Sequence, residues 1–209
     1  MKDEQDYIKD ISEMRSMMER SSRFMSLAGL AGVMAGIYAL AGAWIVYSVL
    51  DFHPDQIMDG TLPMTGNRSA VFLQVMLVAF GVLVLSIGTA FILLRRKAGK
   101  RQEKFYTSST RRYLVNMAVP LVTGGLLTLV LIAHGITGLA APLTLLFYGL
   151  ALVSASNFTY EEVRSLGIIQ IVLGLIGCWF IPYALICWAV GFGLVHIIYG
   201  IYMHYKYER

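Results

Sequence analysis

Two polar side chains, Gln170 and His196, stand deep in otherwise apolar sequence. An amide carries donors and an acceptor, and a neutral imidazole carries one of each. In hydrocarbon such groups either hydrogen-bond across helices or line the pocket of a small molecule or ion. Both lie in the last third of the chain, so Gln170 and His196 are the candidate intramembrane polar pocket. Gln74, Asn116 and His134 are polar too, but sit nearer the ends of their apolar stretches. No Asp, Glu, Lys or Arg falls well inside any stretch. That counts against proton-coupled transport through a mid-membrane carboxylate.

Other chemistry is harder to build. A haem pair needs two histidines at one depth. His134 ends its stretch, whereas His196 lies about 20 Å further in, at about 1.5 Å per helical residue. His53 and His204 fall near opposite surfaces. No cofactor is therefore expected. Cys178 and Cys187, the two cysteines, flank Pro182–Tyr183 symmetrically. A disulfide is conceivable there, and two buried thiols acting as small hydrophobes are the simpler reading. Asp51, His53, Asp55 and Asp59 gather carboxylates in one linker without the spacing of a cation loop, so no metal is expected. There is no HExxH, no Gly-x-Ser-x-Gly and no Walker loop. The chain reads as non-enzymatic, with only the surface trio Glu161, Glu162 and Arg164 available for chemistry at the membrane.

The elements that must position these groups follow from composition. Of 209 residues, 57% are hydrophobic and 14% charged. Soluble domains carry about 25% charged residues, so a soluble enzyme, a disordered chain and a disulfide-stapled secreted module are all excluded. Six apolar stretches, at about 24–50, 70–94, 114–133, 139–155, 163–181 and 183–203, meet the length for a membrane helix. The fourth is short enough to be tilted or re-entrant. The expected fold is an all-α polytopic bundle of six transmembrane helices, residues 24–209. A cytosolic amphipathic helix, residues 1–23, precedes it and continues into helix one. No cleavable leader is expected, because the first 23 residues are mixed in charge and the following stretch is too long.

Charge orients the bundle. Sixteen of the 17 Lys and Arg fall in the first segment, the 95–113 linker, the 160s connection and the tail; Arg68 stands alone on the other side. Basic residues stay in the cytoplasm, so both termini are expected inside. Trp44, Tyr47, Trp179, Tyr183 and Trp188 then form an outer aromatic belt. The 95–113 linker gathers Arg95, Arg96, Lys97, Lys100, Arg101, Lys104, Arg111 and Arg112 against Glu103, which points to contact with anionic lipid. Nucleic acid is not called for, since topology accounts for the charge.

Packing signals are also visible. Ala28, Gly32 and Gly36 recur every four residues, the spacing of a close helix–helix approach. They fit either the inside of the bundle or a homo-oligomer seam. Gly81/Gly88, Gly167/Gly174 and Gly193/Gly200 repeat at seven. Thr159 and Glu162 have capping-box spacing at the start of helix five. In the first segment Tyr7, Ile11, Met14 and Met18 fall on one helical stripe, a candidate partner-binding face.

Met14–Arg23 with Gly36–Leu40, Thr159–Gly167 and Gly191–Gly200 together resemble a family of uncharacterised bacterial six-helix inner-membrane proteins. The resemblance spans most of the chain. It implies a multi-pass protein of the bacterial cytoplasmic membrane, carries no established activity, and so transfers no site residue. It also implies a cytosolic partner, a winged-helix regulator. The expected function is a membrane sensor or an interaction and assembly protein with a cytosolic partner. The rival expectation is a small homo-oligomeric transporter or channel with Gln170 and His196 on its path.

Overall fold

The computed structural model describes residues 28–51, 68–101 and 108–207. Among these residues the chain is all-helical, with no strand, and six helices are long and apolar enough to cross a membrane. They are α1 (Ala28–Trp44, continued by π-helical Ile45–Val49), α2 (Arg68–Arg101), α3 (Ser108–Ala133), α4 (Ala140–Ala155) and α5 (Glu161–Trp179), followed by a composite sixth span. That span starts with a 3-10 turn at Ile181–Tyr183 and α6 (Ala184–Trp188). It continues through π-helical Ala189–Val195 into α7 (His196–Tyr207).

The ends have local causes. The α3 C-terminus closes with Gly135 at φ +82, a left-handed conformation that costs glycine nothing. Gly135 N–H donates to Ile132 O at 2.9 Å and Ile136 N–H to Leu131 O at 2.8 Å. These are the paired bonds of a Schellman ending. Pro182 sits in the first turn of the 3-10 segment between α5 and α6, where its missing N–H is harmless. The capping expected at Thr159 falls one residue later: the N-cap of α5 is Tyr160, extended and without a side-chain cap. Val163 N–H instead reaches Tyr160 O, while Glu161 and Glu162 occupy the positive first turn.

Two expected boundaries move. α2 runs on to Arg101 and α3 begins at Ser108, so most of the basic 95–113 linker is helical. Arg and Lys are good helix formers, and nothing before residue 102 breaks the helix. The fourth span, short on sequence, is extended by a 3-10 turn at Ser156–Phe158. The span then runs for 19 residues over Ala140–Phe158, about 28 Å at a helical rise.

Lipid supplies no hydrophobic drive between helices, so the bundle is held by close approach of backbones. Gly149 of α4 and Gly167 of α5 each face the other's carbonyl so closely that a Cβ would stand 2.6–2.8 Å from it. α1 lies against α7 in the same way: Cβ atoms on Gly29 and Gly36 would meet the backbone of His204 and Gly193. A Cβ on Gly200 would come 2.5 Å from Gly29 O. The face of Gly32 and Gly36 is thus taken by the sixth span of the same chain, and a homo-oligomer through it would have to displace α7. Gly124 of α3 receives the Phe147 ring of α4, and Gly42 of α1 receives Val82 of α2. α3 packs on α4, α4 on α5, the sixth span on α4, α5 and α1, and α2 on α1. Ile181–Trp188 of the sixth span pack on α4 and α5, Ala189–Val195 and α7 pack chiefly on α1, and Val195 and Tyr199 also touch the α4–α5 layer.

Candidate functional site

The polar centre of the molecule lies where the sixth span changes from π-helix to α-helix. α5 brings Gln170 to it, fully buried, and α7 starts it with His196, also buried. The Gly191 carbonyl, inside the π-helical stretch, accepts from Gln170 Nε2 at 2.8 Å and from His196 Nδ1 at 2.9 Å. α4 adds Tyr148, whose hydroxyl is 3.1 Å from His196 Nε2.

These distances fix the proton positions. Gly191 O can only accept, so Nδ1 carries the imidazole proton, and Nε2 then accepts from the Tyr148 hydroxyl. The 3.4 Å separation of Gln170 Nε2 and His196 Nδ1 is accordingly a contact of two donors sharing one acceptor. α5, α7 and the π-turn are tied through a single carbonyl, and α4 joins them through the imidazole.

Gln170 Oε1 is buried and without a hydrogen-bond partner. A Cβ on Gly191 would lie 2.6 Å from it and 2.5 Å from Leu145. The side of Gly191 on which a side chain would stand is therefore filled by the amide oxygen and by Leu145. No larger residue fits there without moving the amide.

An aromatic row runs outward from the cluster. Phe192 stacks on His196 at 5.7 Å, meets the Tyr148 ring at a tilt at 5.1 Å, and lies 5.2 Å from Trp188. Trp188 Nε1 donates to Thr144 Oγ1 at 3.2 Å. On the inner side, Leu152, Val163 and Leu166 form an apolar layer with Met117, Tyr148, Tyr160, Val195 and Tyr199 packed on it. The cluster is closed between these layers and can hold helices together. It contains no acid, and no group of three or more His, Cys, Asp or Glu placed to hold a metal ion occurs among the described residues.

Gln170 and His196 thus meet, and the structure adds Tyr148 and Gly191 to them. Tyr148 was legible as a hydroxyl near the middle of the fourth span. Gly191 gave no signal, because its part is played by a carbonyl that only the π-turn presents. His134 is remote and exposed at the end of α3, its Nδ1 2.9 Å from Val130 O. Cys178 and Cys187 are free thiols, the second buried. Arg95, Arg96, Arg111 and Arg112 are exposed at the facing ends of α2 and α3. Tyr7, Ile11, Met14, Met18, Lys104 and the loop carrying His53, Asp55 and Asp59 lie outside the described residues, as do the side chains of Ala28, Lys97, Lys100 and Arg101. No family model, no curated protein and no solved structure matches this chain.

Proposed function

We propose that the chain is a non-enzymatic sensor or assembly protein of the bacterial cytoplasmic membrane, with both termini inside and a cytosolic protein partner. The supporting observation is the divided sixth span. Its first turns, Ile181–Trp188, pack on α4 and α5, the stretch from Ala189 onward packs on α1 as well, and the Gln170–His196–Tyr148 cluster lies where the two sets of contacts meet. A change in membrane state that shifts α4 or α5 reaches α7 through Gly191 and His196. From α7 it passes to α1, whose N-terminal end leads into residues 1–27. The polar groups inside the bundle serve as the joint, and the reader of the signal is the cytosolic segment with its Tyr7, Ile11, Met14 and Met18 stripe. Positive charge on the 95–113 segment and the tail supports the inside placement of both ends.

The test is native mass spectrometry of the protein drawn in mild detergent from its own membrane, with and without residues 1–22. A stoichiometric second polypeptide that is lost on truncation, with the bundle intact, supports the reading. A partner retained by the truncated chain sinks it.

A second reading, a small transporter, is favoured by one observation: polar groups from α4, α5 and the sixth span converge where that span departs from α-helical geometry, as helix interruptions do at transport sites. Replacing Gln170 and His196 by leucine abolishes flux under that reading. Under the first it alters only stability and signalling.

A further inference from the structure

α7 turns one face to α1 and another to α5, and the two are held in different ways. Toward α1 the contact is backbone on backbone. A Cβ on Gly29 would stand 3.0 Å from Gly200 O, and one on Gly200 would stand 2.5 Å from Gly29 O. Such an approach has no slack, because no rotamer change can relieve it. Toward α5 there is no extensive backbone contact among the described residues. His196, Tyr199, Met203 and Lys206 instead form one stripe along α7 at helical spacing. His196 bonds Tyr148 and lies beside Gln170, Tyr199 packs on the Leu152, Val163 and Leu166 layer, and Met203 is buried. Lys206 Nζ closes the stripe by donating to Glu162 Oε1.

Glu162 and Gln170 are eight residues apart on α5. α7 is thus fastened to α5 by a polar contact at each end of an apolar stretch about 12 Å long. The upper fastening sits on the π-turn, where Gly191 O is held by the side chains of Gln170 and His196. A π-turn interrupts the α-helical ladder and is a place where helices bend. Beyond it the outer turns are seated on α5: Ala184 and Cys187 are buried, and a Cβ on Gly177 would stand 3.5 Å from that of Cys187. The lower fastening is reached by water, with Glu162 18% and Lys206 44% exposed.

We propose that α7 and α1 swing as one body away from α5 about the π-turn Ala189–Val195, and that the Glu162–Lys206 ion pair is the latch that holds them closed. Opening parts the side-chain stripe from its inner end and leaves the glycine seam whole. An ion pair of this exposure shifts such a balance only a few-fold, which suits a latch that releases. The device deepens the sensor reading, since it carries movement of the sixth span to the end of α1 that leads into residues 1–27. It is measured without any partner, so a chain that does not open and a chain that captures no partner are separate results.

The full chain with Cys178→Ala and Cys187→Ala is given spin-label pairs on introduced cysteines and read by double electron–electron resonance in nanodiscs. Ser165 with Ile201 spans the inner α5–α7 contact, Leu30 with Ile201 the α1–α7 seam, and Leu175 with Ile186 the outer α5–α6 contact; all five positions are exposed. The expected result is a second, longer Ser165–Ile201 distance. Its share rises about threefold in E162Q and in K206Q, and no further in the double variant, while the other two pairs stay unchanged. Rising salt does the same to the intact latch and leaves E162Q unmoved. A single short distance in every variant overturns the latch. Lengthening of Leu30–Ile201 or of Leu175–Ile186 together with the first pair overturns it too, because α7 then leaves α1 or the whole sixth span tilts without a hinge. A chain that keeps its own cysteines gives a second reading. With Met203→Cys added, alkylation at 203 by a water-soluble maleimide speeds up about threefold in E162Q and that at Cys187 does not; equal change at both, or none at 203, overturns the proposal.

Discussion

Gly193/Gly200 in the sixth span and Gly81/Gly88 in α2 have the same residue type and the same spacing of seven, and opposite surroundings. The first pair is buried in the α1 seam, with Leu40 against Gly193 and the backbone of Gly29 and Val33 against Gly200. The second pair meets nothing within 4 Å among the described residues. Spacing makes a close approach possible, and a partner helix must still arrive. α1 is bound on both sides, by α7 and by α2, whereas α2 leans on α1 alone among its extensive contacts. The α1–α7 seam is therefore rigid by backbone contact. At the α2 edge the contact is made by side chains, with Val82 seated on Gly42 and the Tyr38 hydroxyl 3.2 Å from Thr89 Oγ1.

The comparison is broken most directly at its two extremes. Gly36→Leu places atoms where Gly193 O and Ile197 already stand, 2.6 Å from a Cβ. It should destabilise the bundle by about 3 kcal/mol or more, read as a lowered detergent unfolding midpoint. Gly81→Leu should change that midpoint by less than about 0.5 kcal/mol. Equal effects would mean that the open face of α2 is covered in the folded protein.

Gly191→Ala comes next, since the new methyl collides with both Leu145 and Gln170 Oε1. A loss of about 1–3 kcal/mol is expected. Gln170→Ala in the same chain should recover part of it, because the collision partner is then gone. His196→Leu removes the bonds to Gly191 O and Tyr148 together, for about 1–2 kcal/mol. Tyr148→Phe removes only the outer bond and should cost about 0.6 kcal/mol. If the tyrosine variant proves worse than the histidine one, the cluster is organised around Tyr148 and not around the Gly191 carbonyl. The smallest effect belongs to the edge. Thr89→Val should leave the global midpoint within about 0.6 kcal/mol and raise local proteolysis near residues 95–101, with no change at α7.

The spans were legible because the bilayer fixes the length of an apolar run, and Val71–Arg96 and Arg111–Ala133 fall where composition places them. Helix ends were less so. Thr159 had the residue type of a cap, but the chain turns one residue later at Tyr160. The basic 95–113 segment looked like a linker and is largely helix, since charge sets side of membrane and says nothing against helical backbone. Of the candidate site, Gln170 and His196 could be picked out because polar groups are rare in such sequence. Tyr148 hid among 12 tyrosines that mostly suit interfaces.

The sequence by itself determined how many helices are long and apolar enough to cross a membrane, which residues are too polar to face lipid, and where glycine permits close approach. Those properties depend on each residue's transfer into hydrocarbon and on intervals along one helix. Which glycines are used, that the stripe of Gly32 and Gly36 meets the sixth span, and that Gln170 and His196 share one carbonyl while Tyr148 bonds the imidazole were decided only by tertiary structure. Each of these depends on the relative rotation of helices far apart in the chain. The Gly191 carbonyl is available to two side chains only because the sixth span winds as a π-helix through Ala189–Val195.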